Sequence, residues 1–266
     1  MLAAQRRERI LEQLEREGVV TVAALSRLLD VSEMTVRRDL DVLHADGHLT
    51  KVHGGATAAQ SGRGREPGFT AKSSLASAAK LAIARAAAAL VQPGSAVGLT
   101  AGTTTHLVAQ ELREMRDITI VTNSIRVADA FVEVSPSDIP VIVIGGTRTP
   151  SDALVGPMAV ENMRSLNLDI CFMGVHGMDE QAGFTTPNVL EAETNRAFAA
   201  TARQFIVVAD SSKWGEVGLA RITPLDEATT VITDTDMPDD SRQLLSSHVE
   251  NVIFANPEEM HDAPHP

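Results

Sequence analysis

The chain has 266 residues, 44% of them hydrophobic, enough for a small domain and a medium one, each with its own core. No uninterrupted apolar stretch of about 18 residues occurs, because Lys80 and Arg85 break the alanine-rich run at 76–91, so a membrane span is excluded. The formal net charge of −12 excludes a general basic field as the means of gripping any nucleic acid, and the lone cysteine excludes an internal disulfide.

The opening MLAAQRRERI starts an amphipathic helix and not a secretory signal, since no apolar segment follows its arginines. With Cys171 read as a small buried residue in ICFMG, this points to the cytoplasm. The first helix carries Ile10, Leu11 and Leu14 on one face and ends near Gly18. A second starts after Thr21, an N-cap, with Val22, Leu25 and either Leu28 or Leu29 inward. Asp30-Val31 turns the chain. Ser32 caps a third helix with Val36, Leu40 and Leu43 inward, and Gly47 ends it. HLTKVHGG (48–55) reads as a β-wing. Residues 1–57 are thus a winged helix-turn-helix, and 58–70, rich in Gly, Ala and polar residues, a linker.

In VSEMTVRRDL, Val36 and Leu40 face the core. At about 100° per residue Arg38 points nearly opposite Val36, Met34 and Arg37 also point outward, and Thr35 lies on the flank. Arginines and a hydroxyl near a helix start can enter a major groove and meet bases or phosphates. The competing possibility is a solvated face in which Arg37 pairs with Asp41. Residues 1–58 hold eight Arg or Lys and nine Asp or Glu, a net of −1, which leaves −11 on the rest. Contact with DNA must therefore come from a few placed cations.

From residue 71 to 255 the pattern becomes α/β. The apolar runs SAVGL (95–99), ITIVT (118–122), VIVIGG (141–146), ICFMG (170–174), FIVVA (205–209), TVIT (230–233) and NVIFA (251–255) alternate with helix-length segments, which predicts an open, mostly parallel sheet covered on both faces. Residues 256–266 read as a disordered tail. In SAVGLTAGTTTHLVAQEL a strand runs into a Gly-Thr-Thr-Thr turn and a helix, presenting amides and hydroxyls to an anion. No Gly-Lys-Ser/Thr follows, so it is not a nucleotide-binding Walker loop. Thr122-Asn123-Ser124 and Gly145-Gly146 end two further strands, and such ends converge on one site.

Residues 6–56, RRERILEQLEREGVVTVAALSRLLDVSEMTVRRDLDVLHADGHLTKVHGGA, resemble the signature of the DeoR family of transcriptional regulators, and the resemblance continues through GTTT, TNS, IGG, FMGVHG, LEAE and ADSSKWG. It implies a winged helix-turn-helix joined to a sensor domain related in fold to sugar-phosphate isomerases. It also implies repression of carbohydrate-metabolism operons in response to phosphorylated sugars. Ser32, Thr35, Arg37, Arg38, Asp39, His53, Gly54 and Gly55 match the family's DNA module. Thr35, Arg37 and Arg38 are assigned to DNA, Lys51 and His53 are candidate wing contacts, and Asp39 is structural, since a carboxylate facing phosphate would repel it. In the sensor domain the resemblance implies Gly102, Thr103, Thr104 and Thr105 for phosphate, and Asn123, Gly146, Gly174 and Gly177 as site walls. Glu191 and Lys213 would meet sugar oxygens or phosphate, with His176 a further possible contact. Where the family commonly has an aspartate, this chain has Thr100.

Three functions compete. The first is a repressor that binds a double-stranded DNA operator as a homo-oligomer, dimer or tetramer, and releases it when a phosphorylated sugar binds, with neither metal nor other cofactor. The second is an isomerase or deaminase acting on sugar phosphates. It needs a carboxylate base such as Glu191, and Thr100 removes another acid, so the chain is read as no enzyme. The third is an architectural or activating DNA binder without a ligand.

Overall fold

The computed structural model describes residues 2–17, 19–52, 54–58, 77–132 and 139–257. His53, nearly all of the expected linker and the tail from residue 258 lie outside them. The chain divides into two compact units, Met1–Leu75 and Ala76–Pro266.

In the first unit α1 (Ala3–Glu17) is followed by β1 (Val19–Thr21), α2 (Val22–Leu29), α3 (Glu33–Ala45), β2 (Leu49–Val52) and β3 (Gly55–Ala58). Thr21 and Ser32 cap α2 and α3, their hydroxyls accepting from the amides of Ala24 and Thr35. Asp30, in the left-handed conformation, closes α2. Ile10, Leu14, Leu25, Leu29, Val36, Leu40, Leu43 and Leu49 form the core. Leu29 is the inward residue of its pair, for Leu28 is 52% exposed.

The strand β1 is an addition to the expected three helices and hairpin. It pairs antiparallel with β3, which lies between β1 and β2. This pairing gives the two glycines of the wing different tasks. Gly54 turns the chain with φ +80°, whereas a Cβ on Gly55 would fall 2.0 Å from the carbonyl oxygen of Val20. Gly55, expected at DNA, is therefore demanded by strand packing. The strand β3 also runs to Ala58, one residue into the segment read as linker.

The second unit opens with α4 (Ser77–Ala88), β4 (Ala96–Leu99), α5 (Thr103–Leu112), β5 (Thr119–Thr122), α6 (Ile125–Val132) and β6 (Val141–Val143). The short strands β7 (Thr147–Arg148) and β8 (Leu154–Val155) pair antiparallel ahead of α7 (Pro157–Arg164). Then come β9 (Leu168–Met173), β10 (Gly177–Asp179), β11 (Gly183–Thr186), α8 (Val189–Thr201) and β12 (Ala202–Val208). The unit closes with β13 (Ala220–Thr223), β14 (Thr230–Asp234), α9 (Asp239–His248) and β15 (Asn251–Ala255).

All seven apolar runs lie in one parallel sheet of order β15-β14-β12-β9-β4-β5-β6. Both of its faces are covered. Ile170, Phe172, Ile206 and Val208 pack with α4, α5 and α6, and their neighbours Cys171, Met173, Phe205 and Val207 with α7, α8 and α9. Burial on both faces is what makes the central strands continuous apolar runs, whereas edge strand β6 is apolar with Ile142 and Val143 exposed. Cys171 is fully buried, and burial pushes its thiol far above its ordinary value. The connections are less uniform than expected. The strands β10, β11 and β13 form a small antiparallel sheet, in place of a purely helical alternation. Among the described residues no helix is long and apolar enough to cross a membrane, and no group of His, Cys, Asp or Glu is placed to hold a metal ion.

The chain runs from β4 outward to β5 and β6, then returns to the other side of β4 at β9 and continues outward through β12, β14 and β15. The strand order therefore reverses between β4 and β9. In open α/β sheets the crevice beyond the carboxyl ends of two such strands is where ligands bind.

Candidate nucleic-acid interface and effector site

The outward face of α3 carries Met34, Arg37 and Arg38, all exposed, behind fully buried Val36 and Leu40. Thr35 is half-buried, and its hydroxyl lies 3.0 Å from that of Ser32, so cap and flank are one hydrogen-bonded unit at the helix start. Arg37 pairs at 3.2 Å with Glu33, one turn earlier, and not with Asp41. Asp41 is taken instead by Lys51 of β2, which joins wing to helix. Both pairs are exposed and contribute only about 0.2–1 kcal/mol, so phosphate oxygens can replace the carboxylates. Arg38 makes no hydrogen bond or ion pair with any described residue, which leaves its guanidinium available to a base or phosphate.

Asp39 faces the other way. It is 3% exposed and held by Arg6 and Arg7 of α1, in agreement with a structural role. Its partners lie more than thirty residues away, and nothing in the local pattern signals them.

In the second unit, Gly102 follows β4 and Gly174 follows β9, one on each side of the switch point. A Cβ on either would come within 3.7 Å of the other's Cα. Gly102 is the N-cap of α5 and offers no side chain to its amides. Thr103, Thr104 and Thr105 follow, all buried. The Thr105 hydroxyl donates to the Gly102 carbonyl at 3.1 Å, while those of Thr103 and Thr104 have no partner among the described residues. Unpaired amides, two available hydroxyls and the positive end of a helix dipole suit an anion.

Thr100 is fully buried. Its hydroxyl accepts from the Gly174 amide at 3.2 Å, and its own amide donates to the Phe172 carbonyl. Asn123, after β5, is buried and supports the loop. Its Oδ1 accepts from the Ala101 amide at 2.9 Å and its Nδ2 donates to the Leu154 carbonyl at 3.2 Å. Lys213, after β12, is half-buried in a 3-10 turn, and its ammonium has no partner among the described residues. The ends of β5, β4, β9 and β12, four neighbours in the sheet, thus carry Asn123, Gly102, Gly174 and Lys213.

The remaining expected residues are placed differently. Glu191 is not on a helix surface. It is 8% exposed in the first turn of α8 and accepts from the Thr186 hydroxyl at 2.7 Å. The space beside Gly177 is closed by the Glu216 carbonyl, 2.0 Å from where a Cβ would sit, so packing demands this glycine. Gly146 turns the chain after edge strand β6 with φ +120°, two strands from β4, and its missing Cβ would strike the Val155 backbone. His176 donates its amide to the Thr185 carbonyl.

One feature beside the crevice has no signal in the sequence. Asp152, 5% exposed with φ +61°, accepts from Arg126 Nε at 2.7 Å and Arg148 Nε at 2.8 Å. Burial pushes its carboxyl up, but the two guanidiniums prevail and hold it below the ordinary carboxylate value. The Asp152 carbonyl also accepts from the Ile125 amide, which ties this loop to the Asn123 segment.

A capped helix-turn-helix with a wing, joined to an α/β unit whose strand ends meet at a switch point, defines a DNA-binding protein with a sensor domain. The chain belongs to the DeoR family: residues 6–62 match the DeoR-like helix-turn-helix domain and 75–235 the DeoR C terminal sensor domain. It is similar to the HTH-type transcriptional regulator YgbI of Escherichia coli strain K12, 36% identical over 259 residues, 96% of this chain and all of that one. It is also similar to the lactose phosphotransferase system repressor of Lactococcus lactis subsp. lactis, 32% identical over 234 residues, 86% of this chain and 90% of that one. Among solved structures, a ribose 5-phosphate isomerase from Methanocaldococcus jannaschii matches 51% of this chain and 53% of that one, at TM-score 0.38 and 20% identity. The chain is a transcriptional regulator and not an enzyme. It binds DNA through its helix-turn-helix and a small-molecule effector through its sensor domain.

Proposed function

We propose that the protein represses genes of carbohydrate metabolism from the cytoplasm as a homo-oligomer, dimer or tetramer, and that a phosphorylated sugar releases it from its operator. Residues 1–57 are the DNA module and 71–255 the effector module. On DNA, Arg38 reads a base edge, Arg37, Ser32 and Thr35 hold phosphate, and Lys51, His53 and Gly54 bring the wing to the backbone. In the sensor domain the phosphate rests on Gly102, Thr103, Thr104 and Thr105, and Lys213 and Glu191 meet the sugar. The effector prefers the arrangement that cannot bind DNA and shifts the population toward it.

The observation that carries this reading is the meeting of Gly102 and Gly174 across the switch point, where α5 begins with uncapped amides and two available hydroxyls. The printed description of the Lactococcus relative, a repressor of a lactose phosphotransferase system, supports the carbohydrate class. Calorimetry against a panel of hexose, pentose and tetrose phosphates tests it. One member should bind the wild type and lose about tenfold or more with Thr103→Val/Thr104→Val, since each lost charge-assisted bond is worth about 1.5–3 kcal/mol. The same compound should weaken duplex binding in a mobility-shift assay. Absence of heat across the panel would instead favour a DNA binder without a ligand.

A further inference from the structure

We infer that Asp39 is a positioning residue of the DNA-reading helix: clamped by Arg6 and Arg7 of α1, it sets the rotation of α3 and so the direction of Arg38. The inference rests on the reading of α3 as the helix that meets DNA.

Among the described residues of the first unit, Asp39 is the one buried charged side chain. A carboxylate out of water is tolerated only when paired and hydrogen-bonded. Both of its oxygens are taken from α1. Arg6 Nε donates to Oδ2 at 2.5 Å, Arg6 Nη2 to Oδ1 at 3.2 Å, and Arg7 Nε to Oδ1 at 3.3 Å. The hydrogen bond to Asp39 is also the chief reason the Arg6 pKa is pushed above its ordinary value.

The core contacts of α3 are apolar and non-directional: Val36, Leu40 and Leu43 would tolerate a small turn of the helix against its neighbours. Its other polar links, Asp41 to Lys51 and His44 Nδ1 to the Leu49 carbonyl at 3.0 Å, run to the wing strand β2, so the tie to α1 is made by Asp39. A forked guanidinium on a carboxylate would not, because its two parallel bonds fix orientation as well as distance. Arg38 is the adjacent residue, about 100° round the helix. Any rotation permitted at Asp39 is therefore passed whole to Arg38. Buried ion pairs often add little net stability over apolar residues of similar size, although removing one partner is costly. Position and stability can thus be separated by experiment.

The test uses the full chain, a duplex that the wild type selects from a random-sequence library, and a scrambled duplex of the same composition. Anisotropy titrations are run beside thermal unfolding. Asp39→Asn should weaken binding to the selected duplex about 10- to 100-fold, the range of a lost charged hydrogen bond, and leave scrambled-duplex binding unchanged. Arg6→Lys, which keeps the charge without the fork, should lose selectivity with an unchanged melting midpoint. Arg6→Leu/Asp39→Leu should melt like the wild type yet stay unselective. Wild-type selectivity in Arg6→Lys or in the double variant would overturn the inference, since the pair would then serve the fold alone. Arg38→Ala separates the two levels. If it keeps selectivity, the reading of α3 fails. If it loses selectivity while Arg6→Lys does not, only the role of Asp39 fails.

Discussion

The hydroxyl of Thr100 accepts a hydrogen bond from the amide of Gly174 at 3.2 Å, which fastens the carboxyl end of β4 to that of β9. The bond lies at the one place in the sheet where strand order reverses. Thr100→Val keeps the shape and leaves the Gly174 amide without its acceptor, a loss of about 1–3 kcal/mol. Effector affinity should fall with stability, because Gly102 and Gly174, proposed above to face the ligand, lose their common anchor. Calorimetry with the best compound of the panel checks this, and an unchanged affinity counts against a ligand at this crevice.

Arg37 and Arg38 should behave unequally. Arg38→Ala removes a guanidinium with no partner among the described residues and should cost about 1–3 kcal/mol of operator affinity, with relaxed specificity at one base pair. Arg37→Ala removes one already shared with Glu33 and should weaken all duplexes alike. Selection on a randomised library with each variant reads the difference. Equal relaxation in both would refute it.

Asp152 should matter more for stability than its exposed arginines. Asn tolerates its left-handed backbone, so Asp152→Asn tests the charge alone and should cost about 1–3 kcal/mol. The pH dependence has a fixed sign. The folded carboxyl has a pKa below the ordinary 3.8. Its stabilisation is therefore present above that value and is lost as pH falls through the folded pKa. His106 adds a second, earlier loss: burial lowers its pKa below 6.5 and prevails over the hydrogen bond to the Arg126 carbonyl, which raises it, so the unfolded chain takes the proton first as pH drops. Melting midpoints of the wild type, Asp152→Asn and His106→Gln between pH 3 and 8 should show a flatter profile in each variant over its own window, as linkage requires.

Gly55→Ala should harm the first unit more than Gly54→Ala. At Gly54 a side chain meets open space, and only the φ of +80° is strained, at about 1–2 kcal/mol. At Gly55 a methyl meets the Val20 carbonyl, so β1 must leave β3. Limited proteolysis near Val20, together with duplex binding, measures this. Equal resistance in the two variants contradicts the pairing.

The main architecture was legible because burial writes itself into composition. A strand covered on both faces must be apolar at every position, which made the central runs legible, and edge strand β6 was legible from its apolar β-branched residues although two of them are exposed. The helices of the first unit were legible for a similar reason, since Thr21, Ser32 and the spacing of Val36, Leu40 and Leu43 are local signals. What escaped reading depends on distant partners. The three residues of β1 carry no alternation of their own and exist as a strand because β3 passes beside them. The arginines on Asp39 and on Asp152 arrive from other elements, as does Glu216 at Gly177. For that reason Gly55 and Gly177 read as site residues although packing demands them. Glu191 could have been placed inward from the Asn188 cap two residues before Leu190, which puts Glu191 in the first turn of a packed helix.

Glu33 and Asp41 have a consequence beyond the ion pairs they make. Each already sits on a cation, Arg37 or Lys51, that DNA would otherwise have to claim from solvent. If Arg37 and Lys51 meet phosphate as proposed above, the two carboxylates are internal stand-ins for it, and docking on a duplex is an exchange of one anion for another. Counterion release from the DNA still drives association, but part of it is offset by ions that the two liberated carboxylates attract. The dependence of affinity on salt should therefore be shallower than a count of the cations at the interface suggests, and Glu33→Gln/Asp41→Asn should steepen it while tightening binding to every duplex, operator or not.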